Sequence, residues 1–103
     1  MKTVKVRNMV SENGTIVPNQ FIIETDINKT SGNCVQYFQS YDSVIAKIDR
    51  FRAEVKGRQV WLDSNKWNYS VTTSQYLSIF LGETITVIRK KVESGEYILT
   101  DLN

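Results

Sequence analysis

Four stretches of the chain have the pattern of strands, and in two of them, residues 2–10 and 34–40, hydrophobic and polar positions alternate as expected when one face is buried. In the first stretch, residues 2–10, Val4 and Val6 fall on one face and Lys5 and Arg7 near the other, which fits a half-buried strand. The remaining three stretches are residues 20–25, 34–40 and 59–63.

The connections between these stretches are short and carry turn residues. Asn13-Gly14 is a strong hairpin signal, because both residue types accept a positive φ. Pro18 has no amide hydrogen, so it belongs at the start of a strand or on a sheet edge. Residues 26–33 are polar and are typical of a surface loop. Because parallel strands need long crossovers, short connections predict an antiparallel meander.

Residues 43–49 support two interpretations. Ser43 can cap a helix that buries Val44, Ile45 and Ile48, which obey helical spacing. The contrast of Ile45 with Lys47 and the short turn before Ser43 instead suit a hairpin strand. We favour the strand.

The pattern becomes helical after residue 70. Thr72 is a good N-cap residue and Gln75 follows three positions later, as in a capping box. The apolar stripe Tyr76, Leu77, Phe80 and Leu81 then runs to Gly82, where the helix should end.

A second helix is predicted between Thr84, as its cap, and Gly95, although the β-branched run at residues 85–88 leaves a strand open. Lysines near its end favour the helix, since cations there complement the macrodipole. Residues 96–102 form either a short final strand or a docked tail.

The fold class is therefore α+β: an antiparallel meander sheet of four to five strands with a C-terminal pair of helices packed on one face. Residues 1–103 form a single domain.

Composition narrows the class of protein further. A chain of 103 residues can bury one hydrophobic core, and a net charge of +2 argues against a general nucleic-acid coat. The N-terminus has no apolar core of the signal-peptide type, and no apolar run approaches the roughly 20 residues of a membrane span. We therefore expect a cytoplasmic protein without a membrane partner.

Residues able to carry catalysis are scarce. The chain has no histidine and a single cysteine, Cys34, in an apolar strand context that indicates a buried structural thiol. The aspartates are scattered without calcium-loop spacing. We predict no catalytic residue, no metal site and no cofactor.

An aromatic and hydroxyl cluster precedes the first helix, and a companion segment lies at the earlier turn. Hydroxyls at a helix start can receive an anion, and aromatic rings there can stack on a base. In the alternative interpretation, the same residues only cap the helix and close the core. The candidate binding residues are Trp67, Tyr69, Ser70, Thr72 and Thr73, with Tyr41, Asp42 and Ser43.

Basic residues cluster around one predicted turn and in the second helix. With aromatic neighbours they can form a single-strand binding surface, and the competing interpretation is a solvated charged face. The residues of this candidate basic patch are Arg50, Arg52, Lys56, Arg58, Arg89, Lys90 and Lys91.

Two segments resemble a family of small proteins carried by bacteriophages and mobile elements. They are Ser40-Tyr-Asp-Ser-Val-Ile-Ala46 and Trp67-Asn-Tyr-Ser-Val-Thr-Thr-Ser-Gln-Tyr-Leu-Ser-Ile-Phe-Leu-Gly82. The opening Arg-Asn-Met-Val and Val17-Pro-Asn-Gln-Phe-Ile22 extend the likeness over most of the chain. Residues 50–56 are an insertion-like departure that lengthens one hairpin.

The resemblance implies a phage or mobile-element source and action in the cytoplasm of the host bacterial cell, and it supports the strand at residues 43–49. It carries no agreed activity. We expect a non-enzymatic accessory protein that binds a host protein or ribonucleoprotein, such as a CRISPR effector that it would inhibit. The alternative is a module that binds single-stranded nucleic acid or a nucleotide.

Overall fold

The computed structural model describes residues 4–50 and 58–103, and in them one sheet and two helices. The strands are β1 (Val4–Val10), β2 (Ile16–Thr25), β3 (Val35–Ser40), β4 (Ser43–Asp49), β5 (Gln59–Asp63) and β6 (Ile98–Thr100); the helices are α1 (Val71–Leu81) and α2 (Ile85–Ser94). The predicted α+β class with two C-terminal helices is confirmed, and the described sheet has six strands rather than four or five.

The strands lie in the sheet in chain order, from β1 at one edge to β6 at the other. Each strand from β2 to β5 pairs antiparallel with the strand before it, so the predicted meander is confirmed, as is the strand over residues 43–49. The final segment becomes a short strand that pairs parallel with β5. Both helices lie in this crossover, because a parallel pair needs a long connection.

The β1–β2 turn follows the Asn-Gly signal. Gly14 has a φ of 80°, and its amide donates to the carbonyl of Ser11 at 2.9 Å. The Ser11 amide donates in turn to the carbonyl of Thr15 at 2.8 Å. A residue with a Cβ is strained at this φ, which is why glycine stands here.

Helix α1 begins two residues earlier than the sequence suggested. Ser70, not Thr72, is the N-cap: its backbone is extended and its hydroxyl accepts from the Thr73 amide at 3.0 Å. Both residues are good capping types, so local preference could not separate them. With this shift Gln75 is no longer at the capping-box position. The predicted end is confirmed, since Gly82 adopts the left-handed conformation at a φ of 70°.

Helix α2 is a helix as predicted. The Thr84 hydroxyl accepts from the Val87 amide at 3.3 Å, and Gly95 ends the helix in the left-handed conformation. Ile88 is fully buried in the core while Arg89 and Lys90 on the same helix are exposed. The apolar stripe of α2 therefore decides its orientation.

The core lies between the helices and one face of the sheet. Phe38, Ala46 and Leu62 are cross-strand neighbours on that face, and all three are fully buried. Leu77 of α1 and Ile88 of α2 belong to the same buried cluster. Burying a side chain of the size of leucine or phenylalanine contributes about 1.5–3 kcal/mol, so this cluster dominates the stability of the fold.

Strand β1 is a sheet edge, and its valines are exposed. Val4 and Val6 are 55% and 61% exposed, whereas Met9 near the other end is buried. Val6 lies opposite Ile23, on the sheet face away from the core cluster. Alternation identified two faces of the strand, but it could not say which face the helices cover.

Candidate functional site

The structure brings the two candidate binding segments together. Lys66 Nζ donates to Ser43 Oγ at 2.7 Å, which ties the β3–β4 turn to the segment before α1. Ser40 is the cross-strand partner of Ser43, and its hydroxyl shares a hydrogen bond of 3.3 Å with the hydroxyl of Thr73. The candidate residues before α1 and those of the β3–β4 turn therefore lie at the same end of the molecule.

Most of the atoms that join these segments are inaccessible. Ser43 is only 3% exposed and Thr73 1%, and Trp67 belongs to the core cluster. The Ser43 hydroxyl donates to the Asp42 carboxylate at 3.2 Å while accepting from Lys66. This chain of hydrogen bonds holds a tight turn, and a substrate has no access to the hydroxyl.

Other candidates in the same region do reach the surface. Tyr41 and Tyr69 are 55% and 51% exposed, and Asp42 and Thr72 are exposed as well. Tyr41 has a φ of 55°, in the left-handed region that a bulky residue rarely adopts. Its amide donates to the carbonyl of Asn19 at 2.7 Å, which helps to hold that conformation.

A broad groove of about 770 Å³ runs along the outer side of α1 toward the start of α2. Tyr69 and Ser70 line one end and Arg89 the other, so the structure places one predicted basic residue near two predicted binding residues. Among its twelve lining residues, six are serine, threonine, asparagine or glutamine, and Glu12 is the one acidic residue. Trp67 and Thr73 are not among its lining residues.

The candidate basic residues are distributed over several local environments. Arg58 and Lys91 both pair with the carboxylate of Glu83, and Arg50 Nε donates to Gln36 Oε1. Arg89 and Lys90 are exposed on α2. Two further members of the patch, Arg52 and Lys56, lie outside the described residues, together with most of the insertion-like segment.

Glu83, in the connection between the helices, is the centre of an ionic cluster that the sequence did not reveal. Its side chain is 14% exposed and contacts Arg58 Nη2 at 3.3 Å, Lys91 Nζ and the Tyr97 hydroxyl. Burial raises the pKa of Glu83, but the hydrogen bonds from Lys91 and Tyr97 and the charges of Lys91 and Arg58 outweigh it. The pKa therefore lies below its ordinary value of 4.5, and the carboxylate is charged at neutral pH.

Cys34 is buried, as its sequence context indicated. Burial raises the pKa of the thiol, and the hydrogen bond from Sγ to the carboxylate of Glu24, 3.5 Å away, raises it further. Since the thiolate is the nucleophilic form, this cysteine is poorly suited to nucleophilic chemistry. Within residues 4–50 and 58–103, no group of three or more acidic or cysteine side chains is placed to hold a metal ion.

The sheet face opposite the helices carries a second feature that the sequence did not reveal. One row of directly opposed residues crosses all six strands, and we call it the open-face row. It consists of Val6, Ile23, Tyr37, Lys47, Trp61 and Ile98. None of the six belongs to the core cluster or to the side chains packed against it.

Lys47 lies at the middle of the open-face row, between two aromatic rings. Its ammonium group is 5.8 Å from the centroid of Tyr37 and 5.1 Å from that of Trp61. Both distances are within the range of cation–π attraction, which holds the lysine stem along the sheet. The row therefore presents two aromatic rings and one cation in fixed positions.

The fold is that of a small α+β domain, in which two helices cover one face of a six-stranded sheet. The chain belongs to the family of unknown function DUF8033, whose model matches residues 4–96. No curated protein and no solved structure matches it significantly. In the described part of the chain, neither helix is long and apolar enough to cross a membrane.

Proposed function

We propose that this protein is a non-catalytic binding protein, and that it captures a host protein through the open-face row. The observation that carries the proposal is the continuity of that row across the whole sheet. Six strands at about 4.8 Å spacing give the row a length of about 24 Å. This length suits an interface of standard size, about 800 Å² on each partner.

The composition of the row supports a protein partner. Interface centres are rich in aromatic residues and poor in charge, and here five of the six positions are uncharged and two are aromatic. The neighbouring row consists of Asn8, Phe21, Gln39 and Val44, so two of its four positions are apolar. A single-strand binding surface needs a basic groove, and Lys47 is the one cation in the open-face row.

The chemistry of the partner follows from Lys47. Covering the row removes this ammonium group from water, and a buried charge needs an opposite charge or full hydrogen bonding. We therefore expect the partner to present an apolar surface with one carboxylate near its centre.

The phage or mobile-element source and the role as an inhibitor of a bacterial defence complex, such as a CRISPR effector, belong to the same proposal. They are supported by the resemblance of the two motif segments.

The test compares variants that keep the fold and remove one surface. Tagged wild-type protein, Trp61→Ala and the matched control Tyr69→Ala are used to capture proteins from host lysate, and the captured protein is then purified. Its dissociation constant is measured by calorimetry against each variant. Loss of a central aromatic anchor costs about 2 kcal/mol or more, so Trp61→Ala should weaken binding about 30-fold or more, and Tyr69→Ala should not.

Two outcomes would contradict this proposal. Equal affinity of the wild type and Trp61→Ala would remove the open-face row from the interface. A salt-sensitive complex with single-stranded oligonucleotides, with quenching of Trp61 in a Trp67→Phe background, would favour nucleic acid as the partner.

A further inference from the structure

The helices leave part of their own side of the sheet uncovered near β1. A cavity of about 320 Å³ lies there, between β1 and the C-terminal half of α1. Its size is at the lower end of the range for small-molecule sites, about 300–1,000 Å³. It faces away from the open-face row, because Arg7 in its wall is opposite Ile22, and Ile22 is opposite the buried Phe38.

One part of the cavity wall is apolar. Met9 and Ile22 come from the sheet, and Ile79 and Phe80 come from α1. Phe80 is held in place by the ring of Phe38, with 5.8 Å between the ring centroids. This wall can take up the hydrocarbon part of a ligand.

The other part of the wall carries two guanidinium groups, from Arg7 and Arg50, and two amides, from Asn8 and Gln36. Arg7 pairs with Glu24, and Arg50 Nε donates to Gln36 Oε1. A guanidinium group has five N–H donors, so each of these bonds uses only a fraction of the donors.

At this end of the cavity, the residues that the structure describes carry a net positive charge. Glu24 forms an ion pair with Arg7 of the cavity wall. Its carboxylate also accepts hydrogen bonds from the Gln36 amide, at 3.0 Å, and from the Cys34 thiol. Two arginines therefore oppose one carboxylate, and Lys5 lies directly across from Glu24 on the neighbouring strand. The excess of positive charge beside an apolar wall fits a ligand that has one anionic group and one apolar part.

We propose that this cavity binds a small organic carboxylate, with its carboxyl group on Arg7 and Arg50 and its hydrocarbon body against Met9, Ile79 and Phe80. Arginine holds carboxylates through paired N–H donors, and such charge-assisted bonds are about twice as strong as neutral ones. The site is on the opposite side of the sheet from the open-face row, so this proposal can be tested independently of the proposed function.

The first experiment uses the wild-type protein, with methyl-labelled isoleucine and methionine followed by NMR. The probes are 4-phenylbutyrate and its neutral amide, and a tripeptide that ends in phenylalanine with a free or an amidated carboxyl group. We expect 4-phenylbutyrate to shift the methyl signals of Met9, Ile22 and Ile79 and to leave Ile88 and Ile98 unchanged. Response to the free-carboxyl tripeptide as well would identify a peptide terminus as the source of the ligand; response to 4-phenylbutyrate alone would indicate a free acid.

Charge variants give the second readout. Arg50→Gln and Arg7→Gln should each weaken 4-phenylbutyrate binding about tenfold, the usual effect of losing one charge-assisted hydrogen bond. Arg89→Gln removes an exposed arginine outside the cavity and should bind as the wild type does. Equal binding of the amide, an equal loss in Arg89→Gln, or no methyl shift at about 10 mM probe would overturn the proposal.

Discussion

Replacing Glu83 by glutamine should destabilise the protein because it removes one charge from a partly buried cluster of three. The side chains of Glu83, Arg58 and Lys91 are 14%, 26% and 30% exposed. Exposed ion pairs contribute about 0–1 kcal/mol, and breaking a buried pair costs about 3–5 kcal/mol. The intermediate burial gives a loss of about 2 kcal/mol in the free energy of unfolding, or roughly 10 °C in Tm for a domain of this size.

The pH dependence of this loss follows from the lowered pKa of Glu83. A carboxyl group with a lower pKa in the folded state stabilises the protein fully above its unfolded value of 4.5. The stabilisation disappears as the pH falls through the folded pKa. The difference between the wild type and Glu83→Gln should therefore be complete at about pH 7 and shrink progressively below about pH 4.5.

Urea unfolding followed by tryptophan fluorescence measures the difference at each pH. Glu24 and Asp63 also have lowered pKa values, but they titrate in both proteins, so their contribution cancels in the comparison. Glu93→Gln, an exposed glutamate on α2, is the matched control and should lie within about 0.5 kcal/mol of the wild type. A loss in Glu83→Gln that stays the same from about pH 7 to about pH 3 would refute the electrostatic explanation.

Four further substitutions test local features of the fold by the same urea assay. Ser70→Ala should cost about 1 kcal/mol because it removes the helix cap, while Thr72→Ala should change stability by less than about 0.5 kcal/mol; the reverse order would restore Thr72 as the cap. Gly82→Ala should cost about 1 kcal/mol, since its φ of 70° strains a residue with a Cβ, and an unchanged midpoint would contradict this. Gln20→Met should stabilise the protein by about 1 kcal/mol, because Oε1 of this 1% exposed side chain has no hydrogen-bond partner among the described residues; a loss of stability would point to a hydrogen bond with bound water.

Local signals in the sequence predicted most of the elements. Alternation located β1 and β3, and Gly82 and Gly95 marked the helix ends because the left-handed conformation favours glycine. The strand over residues 43–49 was the harder decision. Its apolar residues fit the spacing of a helix in part and that of a strand in part. Hydrogen bonding to β3 and β5, on either side, makes this segment a strand.

The open-face row and the cavity beside β1 depend on the register in which the strands pair, and a single sequence does not determine that register. Tyr37, Lys47 and Trp61 lie on three different strands and become neighbours only when those strands pair in one register. Arg7 and Arg50 meet at the cavity for the same reason, although they are far apart in the chain. Within β3, alternation separates Tyr37 from the buried Phe38, but nothing in the sequence places Tyr37 on the same row as Trp61.

The chain-order arrangement of the sheet also shapes how the protein should fold. Strands β1 to β4 are neighbours both in the chain and in the sheet. Their antiparallel pairs therefore close short loops, at a small cost in chain entropy. β6 is different, because both helices lie between it and β5. We therefore expect the antiparallel hairpins to form early, and the β5–β6 pair to close last as the helices settle onto the sheet. During synthesis on the ribosome, the apolar helix side of the sheet would remain exposed until the last third of the chain has emerged.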